Sequence, residues 1–382
     1  MSHAPHLTTV DPFTARTGRF DQPNPAHATM RSAGPIVKVD GPGGPAWVVT
    51  ADHLAREVLT DPRFAKNPRF APSTWDHESA PLEQTAEEQP SLTTLDGEEH
   101  AALRRAHAPL FSAKRIRAQS ERIHEIARAL LTDLDTDAPV DLMAGFTTRF
   151  PLTVLIDLLG LPNDLVDSAG EACLRMLSDV PGEQAEAIGT LAGLAANGLD
   201  RSSGGIAAQL RDRLGADTSP HDLHYHLFSL IFAGQLTTDA ALGFVTAEWL
   251  SPGANPARPI PDLVEEVLRR HPPAPFTLWR FTTTAVTVAD IELPANAPVL
   301  VDIRGIGTDP ARAHGPDLVF GAGAHYCIGA QLAQLELTAV ATVLRDDFPD
   351  ARLTLPVADL RSSTVGGIMG ERLVELPVLL RP

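Results

Sequence analysis

Phe320-Gly321-Ala322-Gly323-Ala324-His325-Tyr326-Cys327-Ile328-Gly329 is the stretch that decides how this chain is read. A lone cysteine is ordinarily a small buried hydrophobe. Here Gly321, Gly323 and Gly329 crowd the thiol of Cys327, and glycines let a backbone come close to a flat object. From Gly329 to about Arg345 the apolar residues keep helical spacing, so a helix starts directly after the cysteine. Its first N–H groups and its dipole favour a thiolate at that point. The other cysteine, Cys173, lies in a plain helical stretch and reads as a buried structural thiol. Two cysteines cannot make a disulfide framework.

Working outward, the chain is mostly helical with small sheets near both ends. Residues 1–30 are polar and rich in Pro and His, and read as an irregular arm. Pro35–Val39 and Ala46–Thr50 flank a Gly-rich turn and predict a hairpin. Ala51–Leu59 has helical spacing, and the polar, Pro-interrupted 67–90 reads as a long loop. From Glu98 to about Leu214 the chain is mainly helical, broken at Pro and Gly clusters. Ser219, Pro220 and Asp222 form a helix start, and the helix to about Leu250 is apolar nearly all round at Leu227–Phe232. A helix without a polar face crosses the centre of a fold. Pro261–Arg270 is another helix, 281–303 alternates like short strands, and 353–380 reads as strands and turns.

The 382 residues carry 48 acidic against 31 basic side chains, a net charge of −17, which argues against a general nucleic-acid binder. Hydrophobic residues make up 43%, enough for a sizeable core. Met1–Val10 lacks an apolar signal core. The best membrane candidate, Leu152–Leu161, is short and carries Asp157. Without repeats or a linker, the expectation is one domain over 1–382, cytoplasmic, with no membrane partner. A Gly-Lys-Ser/Thr phosphate loop and a Gly-x-Ser-x-Gly elbow are both missing. His221, His224 and His226 open a helix, but 224 and 226 diverge by about 200°, so a shared metal is not expected.

A thiolate at such a glycine-rich helix start suits the axial position of a haem iron. The loop resembles the haem signature Phe-Gly-x-Gly-x-His-x-Cys-x-Gly of the cytochrome P450 family at all six fixed positions. The resemblance implies haem b, with Cys327 as iron ligand, Phe320 packed by the thiolate, His325 on a haem propionate, and Gly321 and Gly329 shaping the loop. Other residues fit the same family in order. His100 and Arg104, at i and i+4, resemble its His-x-x-x-Arg propionate pair, and Arg280 resembles its third propionate arginine. Cations there would answer two carboxylates otherwise buried unpaired. Glu266-Val267-Leu268-Arg269 resembles the Glu-x-x-Arg motif, implying a buried structural ion pair. Ala233-Gly234-Gln235-Leu236-Thr237-Thr238 resembles the oxygen-binding kink, implying roles for Ala233, Gly234 and Thr237 above the iron. The resemblance also implies the family fold: a helical major lobe, a minor β lobe, and haem between the long central helix and the helix after Cys327.

Three departures qualify it. Leu236 stands where the family has an acid, and Asp239 lies too far round the helix to replace it. The arginine that usually joins the Glu-x-x-Arg pair is missing, leaving Arg312 or His314 as substitutes. The connections 251–260 and 181–217 look trimmed, which implies a short lid and an open pocket, lined by 67–92, 165–193, 276–278 and 366–369. The implied activity is oxidation of a small-molecule natural product by dioxygen and two electrons, a monooxygenase of secondary metabolism. Electrons would come from NAD(P)H through ferredoxin reductase and ferredoxin, drawn to a basic stretch of Arg104, Arg105, Lys114, Arg115, Arg117 and Arg122. Leu236 and the open pocket motivate an alternative, oxidative cross-linking of aromatic residues in a peptide without oxygen insertion. A haem-thiolate sensor is a further alternative.

Overall fold

The computed structural model describes residues 3–20, 22–41, 43–76, 90–176, 178, 180, 182–202, 204–312, 315, 317–364 and 370–381. The helical lobe is built around one long helix. Its main members are α1 (Pro25–Ala33), α2 (Gly97–His107), α3 (Ser120–Asp133), α4 (Arg149–Leu159), α5 (Pro220–Trp249), α6 (Ile260–Arg270) and α7 (Ala330–Asp347). Ser219 caps α5: its Oγ accepts the Asp222 N–H at 3.1 Å and donates to the Asp222 carboxylate at 2.8 Å, with Pro220 at the first position. That local signal was readable, and the observed start agrees with it.

Helix α5 packs against α4, α6 and α7, and α7 also packs against α3 and α6. The most enclosed part of α5 is 238–247, where every residue is buried, rather than the apolar 227–232. The buried run includes Asp239, which Arg372 neutralises at 3.1 Å. The ion pair supplied from another element keeps this buried charge from standing uncompensated. Two stretches, Leu142–Leu159 and α5, are long and apolar enough to cross a membrane, but two thirds of each is buried inside the protein. They are core helices by that measure.

The β lobe is a five-stranded mixed sheet of β1 (Ile36–Gly41), β2 (Gly44–Val49), β3 (Phe64–Ala65), β4 (Arg280–Thr282) and β5 (Pro298–Val301), in the order β1-β2-β5-β4-β3. The expected hairpin is β1–β2, pairing Ile36 with Val49 and Gly41 with Gly44. Strand β2 runs parallel to β5, and β4 lies antiparallel to both β5 and β3. Sheet order thus carries Arg280, at the start of β4, into the interior beside β3.

The arm is a correction. Residues 1–30 were expected to be irregular, yet Thr17–Arg19 is a strand pairing Thr17 with Ser363, and α1 begins at Pro25. Asn24 caps α1 by accepting the Ala26 N–H at 3.0 Å, with Pro25 at the first turn. The strand partner lies at the far end of the chain, so no local pattern announced it. The connection between α5 and α6 contains turns only, in keeping with its short length.

Candidate cofactor site

The Cys327 loop closes on itself. The Cys327 N–H donates to Phe320 O at 2.9 Å, and Gly321 N–H to Leu318 O at 2.8 Å. Gly321 and Gly323 hold φ of +73° and +70°, a region that disfavours other side chains. At Gly323 an added Cβ would also meet Leu59 O at 3.0 Å, so the loop lies directly on the helix Asp52–Thr60. Gly329 is the N-cap residue of α7, and a Cβ there would stand 3.7 Å from the Cys327 sulfur. The Phe320 ring is half-buried against the helical core and lies 6.4 Å from the Tyr326 ring.

Cys327 is surrounded by protein yet open to solvent, as a thiol in a cleft can be. Burial among those walls pushes its pKa up; the N–H groups of Gly329 and Ala330 and the Arg104 charge pull against it without winning. The helix start therefore favours a thiolate less than its sequence implied. A metal ion at the sulfur reverses this balance, since a coordinating thiol is deprotonated outright. Cys173 is buried on the helix 166–175, with its pKa pushed up to about 12 by burial and by Asp239.

Four nitrogenous side chains converge beside the loop from three segments. His100 and Arg104 share one face of α2, Arg280 comes from β4, and His325 from the loop itself. The His100 and His325 rings stack with centroids 4.1 Å apart. Arg104 donates to Tyr326 O at 2.6 Å, and Arg280 to Phe64 O at 3.0 Å. His100 and Arg280 are only 2% and 4% exposed. Burial first, then the neighbouring charges of His325 and Arg104, lowers the His100 pKa to about 4; burial lowers that of Arg280 to about 10. His100 Nε2 and Arg280 Nε are buried without a hydrogen-bond partner among the described residues. Orphaned donors in a cationic cluster are costly unless an anion meets them. They fit a flat group that presents two carboxylates here and iron to the sulfur.

On α5, Ala233 is exposed although the helix crosses the core, so this turn faces a cleft. Thr237 Oγ1 donates to Ala233 O at 2.7 Å, the back-bond that bends helices. Gly234 does not open the helix toward the cleft: an added Cβ would meet Leu155 Cδ1 at 3.0 Å, so it serves close packing on α4. Leu236 is buried, and Asp239 is committed to Arg372 and to Thr148 Oγ1 at 3.0 Å.

The expected Glu266–Arg269 core pair is not formed. Glu266 is 39% exposed at its side chain and accepts from Arg258 at 2.7 Å, with Arg270 at 3.7 Å, while Arg269 donates to Gly307 O at 2.6 Å. Their i, i+3 spacing allowed a pair, but a cation eight residues upstream and a loop carbonyl compete better. Arg312 pairs with Asp52 at 3.4 Å and with Asp317, so it does not join Glu266. His314, residues 366–369 and 77–89 of the expected pocket loop lie outside the described residues. Phe276 is fully buried against Phe13 and His27, whereas Leu278 is exposed. The basic stretch is partly neutralised: Arg105 pairs with Glu98 at 2.7 Å and Arg122 with Asp157 at 2.8 Å. Lys114 and Arg117 remain exposed on a short helix against α7.

Asp96 lies four residues ahead of His100, and the motif reading assigns it no role. It accepts the N–H groups of Lys66 and Asn67 at 2.8–3.0 Å and approaches His325 Nε2 at 3.5 Å. The signal was present, an aspartate at a helix N-cap, but it pointed to capping its own helix, which this side chain does not do.

A central helix crossing behind a glycine-bound thiol, with cations gathered beside it, defines a haem-thiolate protein. Comparison with known proteins supplies the family. The chain is 40% identical to the cytochrome P-450 monooxygenase DoxA of Streptomyces sp. (strain C5), over the whole of both chains. That alignment runs over 425 positions, more than the 382 residues here, so the relative carries insertions that this chain lacks. It is 30% identical to the vitamin D(3) 25-hydroxylase of Pseudonocardia autotrophica, over 96% of each chain. The solved structure of CYP154C4 from Streptomyces sp. W2061 superposes with a TM-score of 0.83 at 25% identity, over 100% of this chain and 98% of the other. No protein-family model matches. The chain belongs to the cytochrome P450 family and is a monooxygenase with a haem-thiolate cofactor, dependent on dioxygen and a redox partner.

Proposed function

We propose that this monooxygenase inserts one oxygen atom into a natural product of bacterial secondary metabolism, in the cytoplasm, using electrons from a ferredoxin. Relatives named for such work support the substrate class, among them the mycinamicin IV hydroxylase/epoxidase of Micromonospora griseorubida at 28% identity. The observation that carries the site is the pair of buried, unpartnered ring and guanidinium nitrogens at His100 and Arg280 beside the exposed Cys327. His100, Arg104 and Arg280 would hold the two haem carboxylates, and the Cys327 sulfur would hold the iron; His325, expected on a carboxylate, instead has its ring nitrogens facing Asp96 and Leu92 O and stacks on His100. Phe320, Gly321 and Gly329 would shape the loop around that sulfur. The bound haem supplies the activation of dioxygen.

The remaining work falls to this chain's own groups. The exposed Ala233 turn and Leu278 bound the substrate side, presenting apolar surface that orients substrate. Thr237 Oγ1, already donating to Ala233 O, holds a proton at the cleft face and passes it on when its bond turns outward. Leu236 contributes no proton, and the Asp239 charge is spent on Arg372, so solvent entering the cleft recharges Thr237. Gly234 acts only by letting α4 support this turn. Glu266 and Arg269 serve structure through Arg258 and Gly307. Lys114 and Arg117 give an acidic ferredoxin a landing point on the side of α7.

The test is a spectroscopic screen for substrate-induced spin-state shifts, then turnover with a surrogate ferredoxin system and mass spectrometry. The reading expects a product heavier by one oxygen. A product lighter by two hydrogens would instead mean coupling without oxygen insertion, and haem binding without any turnover would point to a sensor.

A further inference from the structure

We propose that Asp96 is a positioning residue for the haem: one carboxylate that fastens together the three chain segments carrying the cations for its carboxylates. This rests on the assignment of His100, Arg104 and Arg280 to that task, with the His325 ring stacked beside them.

The geometry is specific. Asp96 sits at the N-cap of α2, yet its side chain turns away from α2 and accepts N–H groups from Lys66 and Asn67, just after β3. Strand β3 pairs with β4 (Ala65 with Phe281), and Phe64 O receives the Arg280 guanidinium. Fixing the end of β3 therefore fixes the backbone on which Arg280 leans. On its other side Asp96 Oδ1 faces His325 Nε2 at 3.5 Å, while His325 Nδ1 lies 3.2 Å from Leu92 O, so both ring nitrogens have oxygen partners. That ring stacks on His100, one turn along α2 from Asp96. Asp96 thus touches the β3 end and the Cys327 loop, and it begins the helix that carries His100 and Arg104.

Electrostatics adds to the geometry. Asp96 is the carboxylate facing His100 and Arg280, and it opposes the lowering of both pKa values by burial. Burial works to raise its own pKa, but the bonds from His325, Lys66 and Asn67 outweigh that and keep it ionised. Removing it would free three segments from one another and leave the Arg280 guanidinium without its facing carboxylate before any haem arrives. The expected loss falls on cofactor retention, because the segments also pack through their own apolar contacts.

The experiment follows haem transfer from holo protein to an excess of an apo-globin scavenger in the Soret region, beside thermal melting of the haem-stripped protein. Asp96→Ala is expected to lose haem about 10- to 100-fold faster, the usual cost of removing such a support. Asp96→Asn, which keeps the shape and one acceptor, should fall between, and the haem-stripped melts should stay close to wild type. Wild-type transfer rates in both variants would overturn the proposal, as would an equal fall in melting midpoint with no change in transfer. Arg280→Leu separates the two layers: if it also fails to speed transfer, the carboxylate assignment itself falls.

Discussion

His226 shows how a residue's meaning depends on what packs against it. In sequence it headed a weak His cluster; in the structure it is buried on α5 with its ring 5.2 Å from that of His107 on α2. Burial first, then His107, lowers its pKa to about 4. The unfolded chain takes up that proton near pH 6.5 and the folded chain only near 4, so stability is lost as pH falls through that window. His226→Gln should reduce the loss in unfolding free energy between pH 7 and 4.5 by up to about 3 kcal/mol, measured by urea melts. Local motifs were the most legible features at this scale. The loop 320–329 could be read because its φ requirements and its cysteine are local properties. The Glu266–Arg269 pair could not, because ion-pair partners are chosen by tertiary neighbours such as Arg258.

At the scale of elements, α5 was legible from its cap to its end, since capping and an all-round apolar stretch are local signals. Its register was not. Gly234 looked like a place for a cofactor to approach, but it is where Leu155 of α4 lies closest. Gly234→Val should therefore destabilise the protein by about 1–3 kcal/mol through overpacking. Leu155→Ala in the same chain should recover part of that loss, a coupling that chemical denaturation of the single and double variants will show. Thr237→Ala should leave stability and haem content unchanged while electron consumption separates from product formation, measured as product formed per NADPH oxidised.

For the molecule as a whole, the net charge of −17 hides a local basic face, though a smaller one than the sequence implied. With Arg105 and Arg122 paired, Lys114 and Arg117 carry it. Replacing both with Glu should slow reduction by ferredoxin several-fold at low salt, and the difference should shrink as ionic strength rises, which stopped-flow reduction will record. The overall class was legible because the loop, α2, α5 and β4 motifs fall in one order along the chain. The arm was not, because Thr17–Arg19 finds its partner strand at Arg361–Ser363. Everything in the account depends on Cys327 holding iron. Iron-edge X-ray absorption of the holo protein tests this most directly. The account predicts one sulfur neighbour in the wild type and none in Cys327→Ser; a sulfur neighbour that persists in the serine variant would contradict it.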